Sequence, residues 1–234
     1  MHQRTADEEL PPGYRGLILD FVGVLTEGVR EATGAWAVAE GLDADAWRRT
    51  LTTDPVVRQL YTELEHGRLG QAEWNARTGA VLGVDGDNLM GRAWAAVRPA
   101  ADMVRLAREA RRAGYTVALL SNSFGLDPYD PYAATGVWEL FDVAVVSERE
   151  GIAKPDPAIY RTVLDRMSLP AGSCVFVDDQ PANLVPAAEL GITTLLADGL
   201  PGTAGRLARL LGLDLGGPAA GGKAQAVTAD AARP

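Results

Sequence analysis

The sequence predicts an α/β protein in which a parallel sheet carries an inserted helical subdomain. From Ala100 onward, apolar runs too short for helices alternate with helical segments. This alternation is typical of parallel strands joined by right-handed crossovers. Before residue 100, apolar residues recur at spacings of three and four, which indicates helices. That helical stretch is too long for a loop, so we expect it to form a subdomain.

The composition narrows the possible functions. The 234 residues are 47% hydrophobic and 23% charged, as in a soluble globular protein, and the formal charge is -9. This acidity argues against nucleic-acid binding, although a metal or a few local cations could still bind a small anion. One cysteine excludes an internal disulfide. No apolar run is long enough to span a membrane and no signal core is present, so we expect a cytoplasmic protein with no membrane partner. The sequence indicates no oligomeric state.

The first predicted strand begins at Gly16 and stops abruptly at Asp20. Such a continuous apolar run is typical of a buried parallel strand. In open α/β sheets, ligands bind beyond the carboxyl ends of the strands. Asp20 would then lie at the mouth of a crevice, with Gly23 allowing a sharp turn below a ligand. The alternative from this stretch alone is a carboxylate that caps the next turn.

The helical stretch runs from about residue 27 to residue 99. Its breaks predict about four helices and fall at Gly41, Pro55, Gly67 and Gly83. Asp43 and Asp85 are predicted to cap the helices that follow them. Its large aromatic residues are expected to form the core of the subdomain rather than a substrate cage; they are Trp36, Trp47, Tyr61, Trp74 and Trp94.

The remaining elements are predicted from the same alternation. Strands are expected at Thr116–Leu120, Val143–Val146, Cys174–Val177 and Thr193–Leu196. Helices are expected at Ala101–Arg112, Asp156–Met167, Pro181–Leu190 and Ala204–Leu211. Pro186 could move the start of the third of these helices toward itself. Asp156 is expected to cap the helix that Pro157 starts. Residues 1–14 and 215–234 are predicted to be flexible tails.

Polar residues follow the predicted strands that are expected to border the ligand site. Thr116–Leu120 runs into Ser121 and Asn122, and Cys174–Val177 runs into the pair Asp178 and Asp179. Val143–Val146 leads through a short loop to Lys154. If the strands are parallel, these residues converge with Asp20 at one end of the sheet.

A metal ion would make electrostatic sense of this convergence. Several carboxylates in one crevice repel each other and raise their own pKa values unless a cation neutralises them. Aspartates supply hard oxygen ligands that suit Mg²⁺, which also recruits substrate phosphate. Lys154 adds a second cation, placed to hold a carboxylate and a phosphoryl group. Ser121 has a hydroxyl that can donate to a phosphoryl oxygen.

These four stretches, in this order, resemble the four motifs of the haloacid dehalogenase-like (HAD) hydrolase superfamily. The matching segments are Leu-Ile-Leu-Asp-Phe-Val-Gly-Val-Leu (17–25), Leu-Leu-Ser-Asn-Ser (119–123), Lys-Pro-Asp-Pro-Ala-Ile-Tyr (154–160) and Val-Phe-Val-Asp-Asp-Gln-Pro-Ala-Asn (175–183). The resemblance covers about residues 15–200 and implies a Rossmann-like core, residues 15–26 and 98–214. Residues 27–97 resemble the inserted helical cap of the family.

The resemblance also implies a mechanism and a role for each residue. Asp20 would be the nucleophile that forms a phosphoaspartyl intermediate. Ser121, Asn122 and Lys154 would bind the substrate, and Ser121 and Lys154 would assist catalysis. Mg²⁺ would be held by Asp20, the carbonyl of Val22 and the pair Asp178 and Asp179, with Asp179 nearer to the ion. Asn183 would help to orient the site. The expected activity is a Mg²⁺-dependent phosphomonoesterase that acts on a small phosphorylated metabolite.

One position departs from the pattern of the family. Phosphatases of this superfamily usually carry a second Asp two residues after the nucleophile, as general acid and base, and here that residue is Val22. Three alternatives follow. The enzyme could use a leaving group that needs little protonation or a carboxylate from the cap. The protein could bind phosphate ligands with little or no turnover. It could also be a metal-independent dehalogenase, although an Asp-Asp pair does not suit one. Glu27 is the nearest acidic residue, with no geometric ground for choosing it.

Overall fold

The computed structural model describes residues 13–198 and 202–215. Within them, five parallel strands form one sheet and two short strands form another. In chain order the strands are β1 (Gly16–Leu19), β2 (Thr26–Glu27), β3 (Arg98–Pro99), β4 (Thr116–Ser121), β5 (Val143–Val146), β6 (Cys174–Asp178) and β7 (Thr193–Leu196). The order across the larger sheet is β5-β4-β1-β6-β7. The α/β class and the parallel sheet predicted from the sequence are confirmed.

β1 lies at the centre of the sheet because its neighbours on both sides are parallel strands. Gly16 pairs with Thr116 of β4 and with Cys174 of β6, and the pairing continues in register to Leu19. All four residues of β1 are buried, which explains its uninterrupted apolar sequence. The carboxyl ends of β1, β4 and β6 therefore meet at one edge of the sheet.

Helices cover the sheet and fill the insertion. In chain order they are α1 (Val29–Ala39), α2 (Ala46–Thr53), α3 (Pro55–Glu65), α4 (Gln71–Leu82), α5 (Leu89–Trp94), α6 (Ala101–Arg112), α7 (Pro131–Ala134), α8 (Ser147–Glu150), α9 (Pro157–Met167), α10 (Pro181–Glu189) and α11 (Thr203–Leu210). Two short 3₁₀ turns lie at Trp138–Leu140 and Ala171–Ser173. The larger helices of the sheet agree with the sequence prediction to within a residue at each end.

The insertion between β1 and α6 is helical, and we call residues 27–97 the cap. All residues of this range are described, and they hold α1 to α5, one helix more than the sequence predicted, because the short α5 follows the break after Gly83. At its base, β2 and β3 pair antiparallel, so the chain leaves and re-enters the core side by side. Trp47 packs edge-on against Trp36 and Trp74, with ring centres 5.4 and 5.9 Å apart, so the tryptophans form core as expected.

Local details differ from the prediction at two positions, Asp43 and Asp85. Asp43 and Asp85 do not cap helices: their side chains accept from the backbone N–H of the second residue on, closing turns ahead of α2 and α5. α10 begins at Pro181, and Pro186 lies inside it. Asp156 does cap α9, accepting from the N–H of Ala158. The predicted flexible tails lie, apart from Gly13, Tyr14 and Leu215, outside the described residues.

The cap contacts the core at several points, and one of them is a turn at residues 65–71, which we call the docking turn. At its end, the Gln71 side chain donates to the carbonyls of Phe124 and Tyr129 at 2.9 and 3.0 Å and accepts from the N–H of Tyr129 at 2.9 Å. Gly67, at φ +67°, lies so close to the core that a Cβ would overlap the carbonyl of Glu148. This turn therefore fixes where the cap meets the mouth of the sheet. Among the described residues, no helix has the length and apolar character needed to cross a membrane.

Candidate active site

Three charged side chains meet at the edge where β1 and β6 end. The ammonium of Lys154 lies 2.7 Å from Asp20 Oδ1 and 2.7 Å from Asp178 Oδ2. Its third hydrogen bond goes to the carbonyl of Leu120, at 3.0 Å. All three charged residues are buried. The convergence predicted for these residues is present, with each hydrogen of the ammonium directed at an oxygen.

The acidic pair that follows β6 is held in two different ways. Asp178 is fully buried, and it accepts from the backbone N–H of Gln180 at 2.8 Å and from the Asn183 amide at 3.0 Å. Asp179 is half-buried and accepts from the side chain of Gln180 at 3.0 Å. Asp178 is therefore anchored by several donors, whereas Asp179 keeps most of its carboxylate available toward the crevice.

The carboxylates of Asp20, Asp178 and Asp179 fit a divalent cation. One oxygen of each lies within 4.8 Å of the others. Lys154 supplies one positive charge against these three negative charges, so a bound cation would offset the remaining repulsion. A donor set made of carboxylate oxygens suits Mg²⁺. Val22 is half-buried and its side chain packs against the apolar core, so its carbonyl is the group that it could offer.

Burial and mutual repulsion perturb these groups. Burial raises the pKa of Asp20 to about 7; Lys154 opposes this shift and Asp178 adds to it. Burial, and next the charge of Asp178, raises the pKa of Asp179. Burial alone would lower the pKa of Lys154, but Asp20 and Asp178 outweigh it and raise that pKa, which keeps the ammonium charged. A cation bound among the carboxylates would favour the ionised form of Asp20.

Ser121 is the last residue of β4 and is buried at the same edge. The Tyr132 hydroxyl donates to Ser121 Oγ at 2.9 Å. The proton of Ser121 is left with a long contact of 3.4 Å to the carbonyl of Asn122, so it is available to a better acceptor in the crevice. Tyr132 thus orients Ser121, and this contact could not be predicted from local sequence because Tyr132 lies in a separate helix, α7.

Asn122 connects the end of β4 to the loop that carries Lys154. Its amide donates to the Lys154 carbonyl at 3.0 Å and accepts from the Lys154 N–H at 2.8 Å. Two hydrogen bonds to one residue fix the backbone from which the Lys154 side chain extends. The geometry gives Asn122 a positioning role, and direct contact of Asn122 with substrate remains a prediction.

Other residues weighed from the sequence lie away from this cluster. Glu27 is exposed and forms an ion pair with Arg98 at 3.5 Å, so it does not replace the acid missing at Val22. Arg48 and Arg68 of the cap form exposed ion pairs with Asp45 and Glu63.

Two cap residues that the sequence did not single out for the site lie close to the cluster. One is Tyr61, whose pKa is raised by burial and then by the charges of Glu65 and Asp20, among others. The other is Glu65, whose pKa is raised by burial and lowered in part by the charge of Lys154.

Gly23 is the position where the turn after β1 approaches the acidic pair. It has φ +73°, and a Cβ there would lie 2.7 Å from Asp179 Oδ2. We expect Gly23→Ala to displace this carboxylate. Mg²⁺ binding should weaken about tenfold, because altering a residue that positions a metal ligand typically lowers metal affinity by about this factor or more. Titration calorimetry with Mg²⁺ measures the change.

Gly41→Ala is the matched control for Gly23→Ala. Gly41 has nearly the same φ, +78°, but open space where a Cβ would be. It should cost about 1 kcal/mol of stability from the left-handed backbone and leave Mg²⁺ affinity unchanged. Equal Mg²⁺ affinity in the two variants would contradict the placement of Asp179 at the ion.

A family model and several curated proteins match this chain. A family model described as haloacid dehalogenase-like hydrolase matches residues 14–191. Acyl-CoA dehydrogenase family member 10 of Mus musculus is 37% identical over 113 residues, 48% of this chain and 10% of that protein. The sesquiterpene phosphatase astK of Aspergillus oryzae is 28% identical over 146 residues, 61% of this chain and 74% of that protein. The chain therefore spans a small part of the first relative and most of the second.

Solved structures share the fold. A HAD family enzyme from Bacteroides thetaiotaomicron, in complex with magnesium and inorganic phosphate, has a TM-score of 0.58 at 22% identity, covering 79% of this chain and 94% of that one. A dehalogenase has a TM-score of 0.65 at 22% identity, covering 88% of this chain and all of that one. At such low identity these likenesses extend to the fold and leave the reaction open.

Proposed function

This chain belongs to the haloacid dehalogenase-like hydrolases, and on that premise we propose that it is a Mg²⁺-dependent phosphomonoesterase acting on a small phosphorylated metabolite. The observation that carries the proposal is the contact of Lys154 with Asp20 and Asp178 beside the carboxylate of Asp179. A nucleophilic carboxylate, a fixed cation and a donor set for a second cation are what phosphoryl transfer requires.

Each side chain has a task in this reaction. Asp20 attacks phosphorus in line with the leaving oxygen and becomes an acyl phosphate, which water then hydrolyses. Lys154 holds Asp20 in position and offsets charge on the transferring group. Ser121, oriented by Tyr132, donates to a phosphoryl oxygen. Mg²⁺, held by Asp20, Asp179 and Asp178 or the Val22 carbonyl, would supply further positive charge beside the phosphoryl oxygens. Residues 27–97 would act as the cap that covers the substrate.

The relatives support this proposal over its alternatives. Several curated relatives, astK among them, are named as phosphatases, and one enzyme of the same fold holds magnesium and inorganic phosphate. The dehalogenase neighbour keeps carbon–halogen hydrolysis as the competing reaction. Val22 favours a third possibility, a protein that binds phosphate ligands without turnover. The acidic pair weighs against a dehalogenase, because a reaction that needs no metal gains nothing from three carboxylates in one crevice.

A panel of phosphorylated metabolites, assayed with Mg²⁺ and after chelation, tests the proposal. We expect phosphate release that falls about 100-fold on chelation and returns when Mg²⁺ is restored, since a metal contributes several kcal/mol to the transition state. Halide release from haloacids after a chelator has removed Mg²⁺ would identify a dehalogenase instead. Phosphate binding by calorimetry without release from any substrate would identify a binding protein.

A further inference from the structure

We propose that Glu65 of the cap is the general acid and base of this site, in the place that Val22 leaves without a proton-transferring group. The inference deepens the proposed phosphatase function and rests on it. The acid would reach the leaving group from the cap side, opposite the core residues Asp20 and Lys154, when the docking turn is seated.

The docking turn brings Glu65 to the site. Glu65 is the last residue of α3, and its carbonyl accepts from the Ser147 hydroxyl at 2.5 Å. Ser147 Oγ in turn accepts from the N–H of Ser123, two residues beyond Ser121, at 2.9 Å. Two residues later in the chain, Gly67 packs closely against the carbonyl of Glu148. The backbone of Glu65 is thus tied to the segment that follows β4.

The carboxylate of Glu65 faces the residues of the site. It has a hydrogen-bonding interaction with the side chain of Asn122 and feels the charge of Lys154. Asn122 is bonded to the backbone of Lys154, and the Lys154 ammonium is 2.7 Å from Asp20. Tyr61, one helical turn before Glu65, interacts with the charges of both Glu65 and Asp20. Glu65 therefore borders the same crevice as the nucleophile without touching it.

The surroundings suit a group that exchanges a proton near neutral pH. Burial raises the pKa of Glu65 to about 7, while His66, Asn122 and Lys154 oppose the shift. An acid–base catalyst works best when its pKa lies near the working pH, since both forms are then available. Besides His66 and Lys154, Tyr61 is a titratable group that interacts with this carboxylate, and its own pKa is raised, chiefly by burial, so it stays neutral.

Two other carboxylates fit less well. Glu27 is exposed and ion-paired with Arg98. Glu148 of α8 is half-buried and its pKa is raised by burial, but the side chain that hydrogen-bonds it is Ser123, and Arg149 and Asp130 are the charges that act on it. Neither Lys154 nor Asp20 is among the groups that shift it. Glu148 is the rival that the experiment must separate from Glu65.

The proton steps balance as follows. An Asp20 oxygen bonds to phosphorus, the bond from phosphorus to the leaving oxygen breaks, and protonated Glu65 gives its proton to that oxygen, which departs as an alcohol. Glu65, now a carboxylate, takes a proton from water as the water oxygen bonds to phosphorus. The bond from phosphorus to Asp20 breaks, inorganic phosphate leaves, and both carboxyl groups return to their starting forms.

Glu65→Gln with substrates of different leaving groups tests the assignment. An alkyl phosphate needs a proton on its leaving oxygen, whereas dinitrophenyl phosphate does not. We expect kcat/KM for the alkyl phosphate to fall about 100-fold or more and kcat/KM for dinitrophenyl phosphate to stay within about threefold. Because hydrolysis of the acyl phosphate then lacks its base, dinitrophenol should appear in a burst equal to the enzyme, followed by slow turnover. A purely structural defect would slow both substrates alike.

Control variants assign each outcome. Glu73→Gln alters an exposed cap carboxylate paired with Arg77 and should leave both substrates unchanged. If Glu148→Gln gives the leaving-group dependence and Glu65→Gln does not, Glu148 is the acid and the assignment to Glu65 is wrong. Equal losses for both substrates in Glu65→Gln would also overturn it. If the unaltered protein releases phosphate from no substrate, the proposed function itself fails, which is a separate result.

Discussion

Asp20→Asn should lower phosphate release by about 10⁴-fold or more, because it removes the group that bonds to phosphorus and loss of a nucleophile is among the largest single effects in enzymes. The neutral amide is nearly the same size, and Lys154 keeps Asp178 as a partner at 2.7 Å, so the variant should fold. After acid quenching, the unaltered protein should carry a phosphoryl group on Asp20, and the Asp20→Asn variant should carry none at that position. Turnover is measured as inorganic phosphate released.

Two comparisons make the Asp20 experiment decisive. Asp43→Asn, at a carboxylate in the turn before α2, should retain full activity. Thermal unfolding should confirm that the Asp20 variant is folded. Undiminished phosphate release by folded Asp20→Asn would mean that another residue attacks phosphorus, or that water attacks directly, and the phosphoaspartyl route would be wrong.

Lys154→Met should produce the second large effect, on stability as well as on turnover. The ammonium is buried and holds two buried carboxylates, which would be left without their partner. Removing one member of a buried ion pair costs about 3–5 kcal/mol, which urea denaturation would measure. Loss of a fixed cation at the transferring group should lower kcat by about 10²–10³-fold.

A double-mutant cycle and a pH series separate the causes of this loss. In the Asp20→Asn background one carboxylate is already neutral, so Lys154→Met should cost less. The pKa of Asp20 is raised to about 7 in the folded protein, so Asp20 is largely protonated and uncharged at pH 5. Lys154 then has one negatively charged partner fewer to stabilise. The stability lost in Lys154→Met should therefore be smaller at pH 5 than at pH 8. A loss that is the same in both backgrounds and at both pH values would contradict the ion-pair explanation.

The sheet and the core of the site were predictable because local sequence determines them. A buried parallel strand must be apolar throughout, so the polar residue that ends it is conspicuous, as at Asp20 and Asp178. Lys154 carries a further signal in the composition, since it is one of two lysines among 22 Lys and Arg residues. Between two carboxylates and the Leu120 carbonyl, a compact ammonium with three hydrogens fits where a planar guanidinium would not.

Contacts between distant segments were not predictable in the same way. Tyr132 reaches Ser121 through the placement of α7, and Glu65 reaches Asn122 only because the cap is seated by Gln71 and Gly67. Neither depends on a local periodicity. The prediction that Asp43 and Asp85 cap helices was wrong for a related reason: an Asp side chain can close a turn two residues ahead as readily as it can cap a helix.

The hydrogen bonds of Gln71 and Ser147 would link the proposed chemistry to any movement of the cap. Glu65 accepts the hydrogen bond of Ser147 and lies in the same docking turn as Gln71, so a cap that lifted to exchange substrate for product would carry Glu65 with it. An open protein would then keep its nucleophile while lacking the partner that completes a cycle. Under the proposed mechanism, phosphoryl transfer would then proceed only with the cap closed, and the rate of cap closure would limit turnover.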